Sequence, residues 1–237
     1  GHRTGVIRLA FSGDGETLVS ASADGDVRVW DLRRKPVIDT QGVGELVANR
    51  PQLRSPGAPR GLALVENRLI VGGERGLKVF DLKGGGPPRD VPIRGRFLRA
   101  MAVSGDGRKL ATTNGRVLEF WDLKTVELEC SKVLNAFQSL EVIGLAFEPL
   151  ELDPHRPGGT GWRLVSTDDK GGGKMWDVTP TDAVEGAAEK LTAADVHDLS
   201  GHGEPIESLA FAPNGKTLVT GSRDRTIKCW DPLTGAD

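Results

Sequence analysis

Two sets of residues in this 237-residue chain have the make-up of a nucleophilic active site: His2, Ser20 and Asp24, and again His202, Thr220 and Asp224. A hydroxyl beside an imidazole, with a carboxylate to orient the ring, is the arrangement that activates a nucleophile for acyl transfer. Each set lies just ahead of a tryptophan, Trp30 or Trp230. An enzyme needs one such site. The same set met twice points instead to architecture, and no catalytic residue is assigned. The strand alternation leaves the hydroxyl open by one step, between Ser20 and Ser22 and between Thr220 and Ser222.

Two further groupings invite chemistry and do not sustain it. The run Asp168-Asp169-Lys170-Gly171-Gly172-Gly173-Lys174 is rich in glycine and lysine. A phosphate loop needs G-x-x-x-x-G-K-[ST] opening a helix. Here Lys174 is followed by Met175, and the segment leads into a strand, so a turn is expected. Glu151, Asp153 and His155 are plausible metal ligands by type. Pro154, Pro157 and the lack of a second histidine favour a solvated loop. Neither a metal nor a cofactor is expected.

The elements around these residues repeat. Trp30-Asp31, Trp121-Asp122, Trp176-Asp177 and Trp230-Asp231 each close a short hydrophobic run, and Phe80-Asp81 is a near match. The intervals of 50, 41, 55 and 54 residues between these closures indicate an array of supersecondary units. In the last unit, Leu209 and Phe211 alternate with small residues, as in a half-buried strand. Pro213-Asn214-Gly215 signals a turn, Lys216 to Gly221 a second strand, and Thr226 to Trp230 a third. The first unit has the same form, with turns at Gly13-Asp14-Gly15 and Asp24-Gly25. The third keeps the pattern but is one residue short in its second turn, and the second and fourth are more degenerate. Outer strands are expected at Pro36 to Asp39, Arg89 to Ile93, Glu127 to Ser131 and Val196 to Leu199. Three stretches exceed the minimal repeat: Gly42 to Pro59, Glu148 to Gly161, and Thr179 to Asp195, the last with a helical look from Asp182 to Ala194. The units are set at 1–41, 42–93, 94–135, 136–199 and 200–237, all within one domain, 1–237.

Composition narrows the function classes. A net charge of −2 supplies no field to draw the chain to nucleic acid or an anionic membrane. The absence of tyrosine and the scattering of basic residues leave neither a phosphate track nor stacking platforms. Cys130 and Cys229 lie far apart, which argues against a disulfide framework and a zinc site and fits a cytoplasmic setting. No apolar run approaches the ~18 residues of a membrane span.

These residues resemble the WD-repeat β-propeller family. Units one and five carry the Gly-His opening (Gly1-His2, Gly201-His202), an Asp six residues before Trp, and the Trp-Asp close. The resemblance implies an all-β fold of four-stranded antiparallel blades in a propeller, with five repeat units here and a longer array from which they come. Such a piece is expected to expose apolar blade faces. The resemblance also implies that His2, Ser20, Asp24, Trp30, His202, Thr220, Asp224 and Trp230 form structural hydrogen-bond networks inside their blades. In these networks the indole donates to the hydroxyl, the hydroxyl to the histidine, and the histidine to Asp24 or Asp224.

In that family partners dock on the face carrying the Gly-His loops and second turns. Arg3, Arg94, Arg96, Arg223 and Arg225 are expected there, with Arg60, Arg75 and Arg99 near. Arginine suits bidentate capture of carboxylate or phosphate. The function expected is a non-catalytic scaffold for proteins or peptides, acidic or phosphorylated ones among them. The alternative is a regulatory or recruiting part of a larger kinase- or protease-like enzyme.

Overall fold

The computed structural model describes residues 2–33, 37–38, 44–45, 53–84, 86–94, 97–123, 129–134, 141–149, 161–180 and 191–237. It divides into two compact units, residues 1–98 and 99–237. The secondary structure among the described residues is strand and turn, without helix.

The first unit holds two four-stranded antiparallel sheets. Blade 1 is β1 (Val6–Phe11), β2 (Thr17–Ser22), β3 (Asp26–Asp31) and, outermost, β6 (Leu53–Arg54). A separate short ladder joins β4 (Val37–Ile38) to β5 (Gly44–Glu45). Blade 2 runs β7 (Pro59–Val65), β8 (Arg68–Gly73), β9 (Gly76–Asp81) and β10 (Arg89–Val91). The second unit holds three sheets. Blade 3 is β11 (Ala100–Val103), β12 (Lys109–Thr113), β13 (Leu118–Asp122) and β14 (Glu129–Leu134). Blade 4 is β15 (Val142–Phe147), β16 (Trp162–Asp168), β17 (Gly173–Pro180) and β18 (Leu191–Leu199). Blade 5 has three strands, β19 (Ile206–Phe211), β20 (Leu218–Ser222) and β21 (Ile227–Trp230). These are β-propeller blades, five among the described residues, and the fold is all-β.

The turns follow from their residues. Between the first two strands of blades 1, 3 and 5, Gly15, Gly107 and Gly215 sit at φ of 70°, 68° and 68°, a region open to glycine at no steric cost. The residue just before each turns its side chain back: Asp14 Oδ1 accepts the Glu16 N–H, Asp106 Oδ1 that of Arg108, and Asn214 Oδ1 that of Lys216, each at 3.0 Å. These are the local side-chain bonds that make Asp and Asn turn formers. The first strands of blades 1, 2, 4 and 5 share a further device. The register slips by one residue at Ile7, Arg60, Ile143 and Glu207. Such a bulge bends the strand and increases its twist.

Each sheet buries one face against its neighbour within the same unit. Val19, Ala21 and Val27 of blade 1 pack with Leu69, Val71 and Phe80 of blade 2. Ala111, Leu118 and Phe120 of blade 3 pack with Leu145, Phe147, Leu164 and Trp176 of blade 4. Val165, Met175 and Leu199 of blade 4 pack with Leu218 and Trp230 of blade 5, with Leu209 and Phe211 at the margin. In all three seams the face bearing the closing aromatic rests on the opposite face of the preceding blade. Fully burying one such side chain is worth about 1.5–3 kcal/mol, so these seams are what hold the sheets together. Blades 1 and 5 also carry large apolar side chains in solvent, among them Leu9, Phe11, Ile227 and Leu233.

Two sequence expectations need correction. The outer strand of blade 1 is β6, not the segment at Pro36 to Asp39, whose Val37 and Ile38 pair with β5. Leu53 pairs with Val27 and packs onto the seam between blades 1 and 2, which an earlier, tighter return would leave uncovered. The helical expectation from Asp182 to Ala194 fails where it is described. Residues 191–194 belong to β18, which follows β17 over almost its whole length. Helix propensities differ by only about 0.7 kcal/mol per residue, too little to outweigh a continuous ladder of backbone bonds. Residues 182–190, and Glu151, Asp153 and His155, lie outside the described residues.

Candidate functional site: the blade networks and the loop ends

The triad-like set of blade 5 is assembled and buried. His202 precedes β19, Thr220 lies on β20, Asp224 in the β20–β21 turn, and Trp230 ends β21. Trp230 Nε1–H donates to Thr220 Oγ1 at 2.8 Å. Thr220 Oγ1 lies 2.8 Å from His202 Nε2, and His202 Nδ1 lies 2.8 Å from Asp224 Oδ2. One tautomer satisfies every atom: the threonine hydroxyl donates to Nε2, and Nδ1–H donates to the carboxylate. Asp224 also accepts from the Thr226 hydroxyl and from the N–H groups of Thr226 and Gly203. The Thr226 hydroxyl, with the other donors behind it, holds the Asp224 carboxyl well below the usual carboxylate range. Thr220 is 0% exposed and Trp230 2%. The hydroxyl of Thr220 is therefore closed off from a substrate.

Blade 1 repeats this set with a different carboxylate. Trp30 Nε1–H donates to Ser20 Oγ at 2.7 Å, and Ser20 Oγ meets His2 Nε2 at 2.6 Å. The carboxylate nearest His2 Nδ1 is Asp26, 3.4 Å away, not Asp24. Asp24 instead accepts from the Ser22 hydroxyl and from the backbone of Asp26. Asp26 is drawn toward Arg28, whose Nε lies 2.9 Å from Oδ2. Burial, with Arg28 beside it, lowers the His2 pKa from its ordinary value. The open choice of hydroxyl resolves to Ser20 and Thr220, since Ser22 caps the turn and the Ser222 hydroxyl donates to Glu204 O.

Two more blades carry the indole–hydroxyl bond without a histidine. Trp121 donates to Thr112 and Trp176 to Ser166, both at 2.8 Å. Sequence reasoning missed these hydroxyls, although the signal was there. Ser20, Ser166 and Thr220 stand ten residues before their tryptophans, and Thr112 stands nine before, matching the shorter second turn of that unit. Blade 2 has Val71 in the hydroxyl position and Phe80 in the indole position, so neither donor nor acceptor is left over. Replacing both partners by apolar groups is nearly neutral, whereas replacing one is costly.

A second missed series involves the aspartates of the closing dipeptides. Lys109, at the start of β12, is fully buried with Nζ 3.1 Å from Asp122 Oδ2 and 5.3 Å from the Trp162 ring centroid. Trp162 Nε1–H points at both Asp106 oxygens, 3.1 Å from each, tying blade 4 to blade 3. Arg163 Nε contacts Asp177 Oδ1 at 3.0 Å, and its Nη1–H donates to Pro232 O at 2.6 Å, tying blade 4 to blade 5.

The predicted arginines fall as follows. Arg3 and Arg94 are exposed in the first unit, and Arg96 lies outside the described residues. Arg223 and Arg225 are exposed together in the β20–β21 turn, with Arg223 paired to Glu207. Arg225 stands at φ 70°, in the place where blade 1 has Gly25 at φ 83°. Arg60 pairs with Glu74, and Arg99 with Glu141 at 2.7 Å. A cleft of about 1080 Å³ in the first unit is lined by both signs of charge, including Asp14, Glu16, Asp31, Arg33, Arg54 and Lys83. Neither histidine nor cysteine is among the described residues that line it. Among the described residues no group of three or more metal-ligating side chains is present. Among the described residues there is no helix long and apolar enough to cross a membrane.

A family model for the WD domain, G-beta repeat, matches residues 1–31 and 194–231. The first and last repeat units of the chain thus match the WD repeat. The chain is 26% identical over 260 residues to the nuclear distribution protein PAC1 of Arthroderma otae, a match covering 98% of this chain and 50% of that protein. It is 24% identical over 242 residues to the apoptotic protease-activating factor 1 of Rattus norvegicus, covering 99% of this chain and 17% of that protein. The chain thus spans half the length of the first relative and much less of the second. A chain in a crystal structure of the mitotic checkpoint complex has the same fold, with a TM-score of 0.70 at 20% identity over 98% of this chain and 63% of that one. The family match covers the two units in which histidine completes the network.

Proposed function

We propose that this WD-repeat protein is a non-catalytic, cytoplasmic scaffold that binds other proteins through the loop ends of its blades. The observation that carries the reading is the saturation of the triad-like set in blade 5. Its hydroxyl, imidazole and carboxylate bond one another and Trp230, so they serve the blade and not a substrate. What remains at the loop end is a set of exposed charges on well-braced turns. Arg225 favours binding there over mere solvation, because a non-glycine residue at φ 70° costs roughly 1–2 kcal/mol relative to glycine. With Arg223 beside it, the turn fits carboxylate or phosphate groups of a peptide segment.

The test is a titration of acidic and phosphoserine-containing peptide pools against the wild type and an Arg223→Glu, Arg225→Glu variant. Binding that falls at least tenfold in the variant supports the reading. Binding that is equal in both refutes the arginine site. A second reading, the recruiting part of a larger enzyme, draws on the match to a relative whose name is that of a protease-activating factor. The two converge on the same surface and differ in what is attached to it.

A further inference from the structure

The seam between blades 3 and 4 is a template for the cleft between blades 1 and 2. In the former, Lys109 stands opposite Asp122 in the ladder, with Nζ 3.1 Å from its carboxylate and 5.3 Å from the Trp162 ring centroid. The Trp162 indole N–H is directed at both oxygens of Asp106, and Arg108 pairs with the same carboxylate. Two carboxylates thus meet two cations and one indole, with the ammonium over the ring face. Blade 1 repeats the backbone of blade 3 there. Thr17 stands opposite Asp31 as Lys109 does opposite Asp122, and Asp14 accepts the Glu16 N–H as Asp106 accepts that of Arg108. The basic and aromatic side chains are exchanged. Glu16 stands in the place of Arg108, and Thr17 in that of Lys109. In blade 2, Asn67 precedes Arg68 as Trp162 precedes Arg163 in blade 4, and both arginines face the closing aspartate of their blade.

Asp14, Thr17, Asp31 and Asn67 all line the cleft of about 1080 Å³, and Val29 and Leu64 give it an apolar wall. Among the described residues, its lining holds five carboxylates and four cations. The imbalance falls at this corner, where Asp14, Glu16 and Asp31 face the single guanidinium of Arg33. We infer that the cleft binds a ligand with an aromatic ring bearing an N–H donor and an ammonium on a short chain, an indolylalkylamine in chemical class. The ammonium lies against Asp31, as that of Lys109 lies against Asp122, and the ring N–H donates to Asp14, as that of Trp162 does to Asp106. A carboxylate has about four acceptor positions, so Asp31 can hold Arg33 and the ligand together. The ring does not come from these residues. Trp30, Trp121, Trp162, Trp176 and Trp230 each donate elsewhere, and the segment from Leu32 to Gln52 beside the cleft contains no aromatic residue. The cleft shares no residue with the arginine turn, so each proposal can fail alone.

The experiment is isothermal titration calorimetry of the protein with tryptamine and, separately, with the peptide Gly-Lys-Trp-Gly. Saturable binding of at least one is expected. The tighter of the two shows whether the group arrives as a free amine or on a polypeptide, and either supports the site. 3-Methylindole, without the ammonium, and phenethylamine, without the N–H, bind at least tenfold more weakly. Asp31→Asn lowers the affinity at least tenfold. Asp14→Asn does the same while keeping the turn, since Asn214 accepts the equivalent N–H in blade 5. Thr17→Lys combined with Asn67→Trp writes the blade 3 and blade 4 pair into this seam. That double variant loses binding and melts several °C higher than wild type. If it does not fold, the two aspartate variants decide alone. Absence of binding by both probes, binding indifferent to both aspartate changes, or undiminished binding by the folded double variant overturns the proposal. Binding that appears only after residues 46–52 are replaced by glycine and serine also overturns it, because the cleft then belongs to the chain's own segment.

Discussion

Thr220→Val tests the blade-5 network at its most buried point. The substitution keeps the side chain's shape and removes one hydroxyl. Two groups then lose their partner, the Trp230 indole N–H and His202 Nε2, both in residues under 10% exposed. An orphaned buried donor or acceptor costs about 1–3 kcal/mol, so the pair costs roughly 2–6 kcal/mol. The new methyl group returns at most about 0.8 kcal/mol. A net loss of about 1–5 kcal/mol follows. At about 2–4 °C per kcal/mol for a chain of this size, the melting temperature falls by roughly 2–20 °C. Asp224→Ala makes the comparison sharp. Its side chain is 17% exposed, so water can replace part of what it supplies to His202, and its loss is expected to be a few °C, smaller than that of Thr220→Val. Differential scanning calorimetry of the two variants gives the order directly. A melting point within 1 °C of wild type for Thr220→Val, or a larger loss for Asp224→Ala, would refute the reasoning.

Three further outcomes are expected. Arg225→Gly relieves a left-handed backbone and raises the melting temperature by a few °C, while weakening any partner that uses the turn; a lower melting point contradicts the strain argument. Lys109→Met leaves Asp122 buried without its cation and costs about 3–5 kcal/mol, read by urea denaturation; a change below 1 kcal/mol would show that the pair is dispensable. The lowered pKa of His2 means that the unfolded chain takes up the proton first as pH falls. Its contribution to stability is therefore complete above the unfolded value of about 6.5 and is lost as pH drops through the lower folded value. Relative to wild type, His2→Gln is expected to flatten the loss of stability between pH 7 and pH 5, measured by thermal melts.

The sequence carried the repeat, the strand order and the closing tryptophans plainly, because turn residues and alternation are local signals. It also carried the hydroxyls of Thr112 and Ser166, visible only by counting back from tryptophan. What stayed out of reach depends on packing across strands. Asp24 and Asp26 are equally good carboxylates by sequence, and the pull of Arg28 and the cap of Ser22 decide between their roles. The pairing of Lys109 with Asp122 and the capture of Pro232 O by Arg163 join residues 13 and 69 positions apart, with no local pattern to announce them. The strand at residues 191–194 was hidden by an Ala-rich composition that a ladder overrides.

The indole donors of Trp121, Trp176 and Trp230 are held inside their blades. Hydrogen exchange of the tryptophan Nε1 protons, followed by NMR, measures that directly. Slow exchange is expected for Trp121, Trp176 and Trp230, with the Trp230 proton exchanging much faster in Thr220→Val. Rapid exchange of all three in the wild type, at rates no different from a free indole, would contradict it and return the hydroxyl–histidine sets to the list of open catalytic groups.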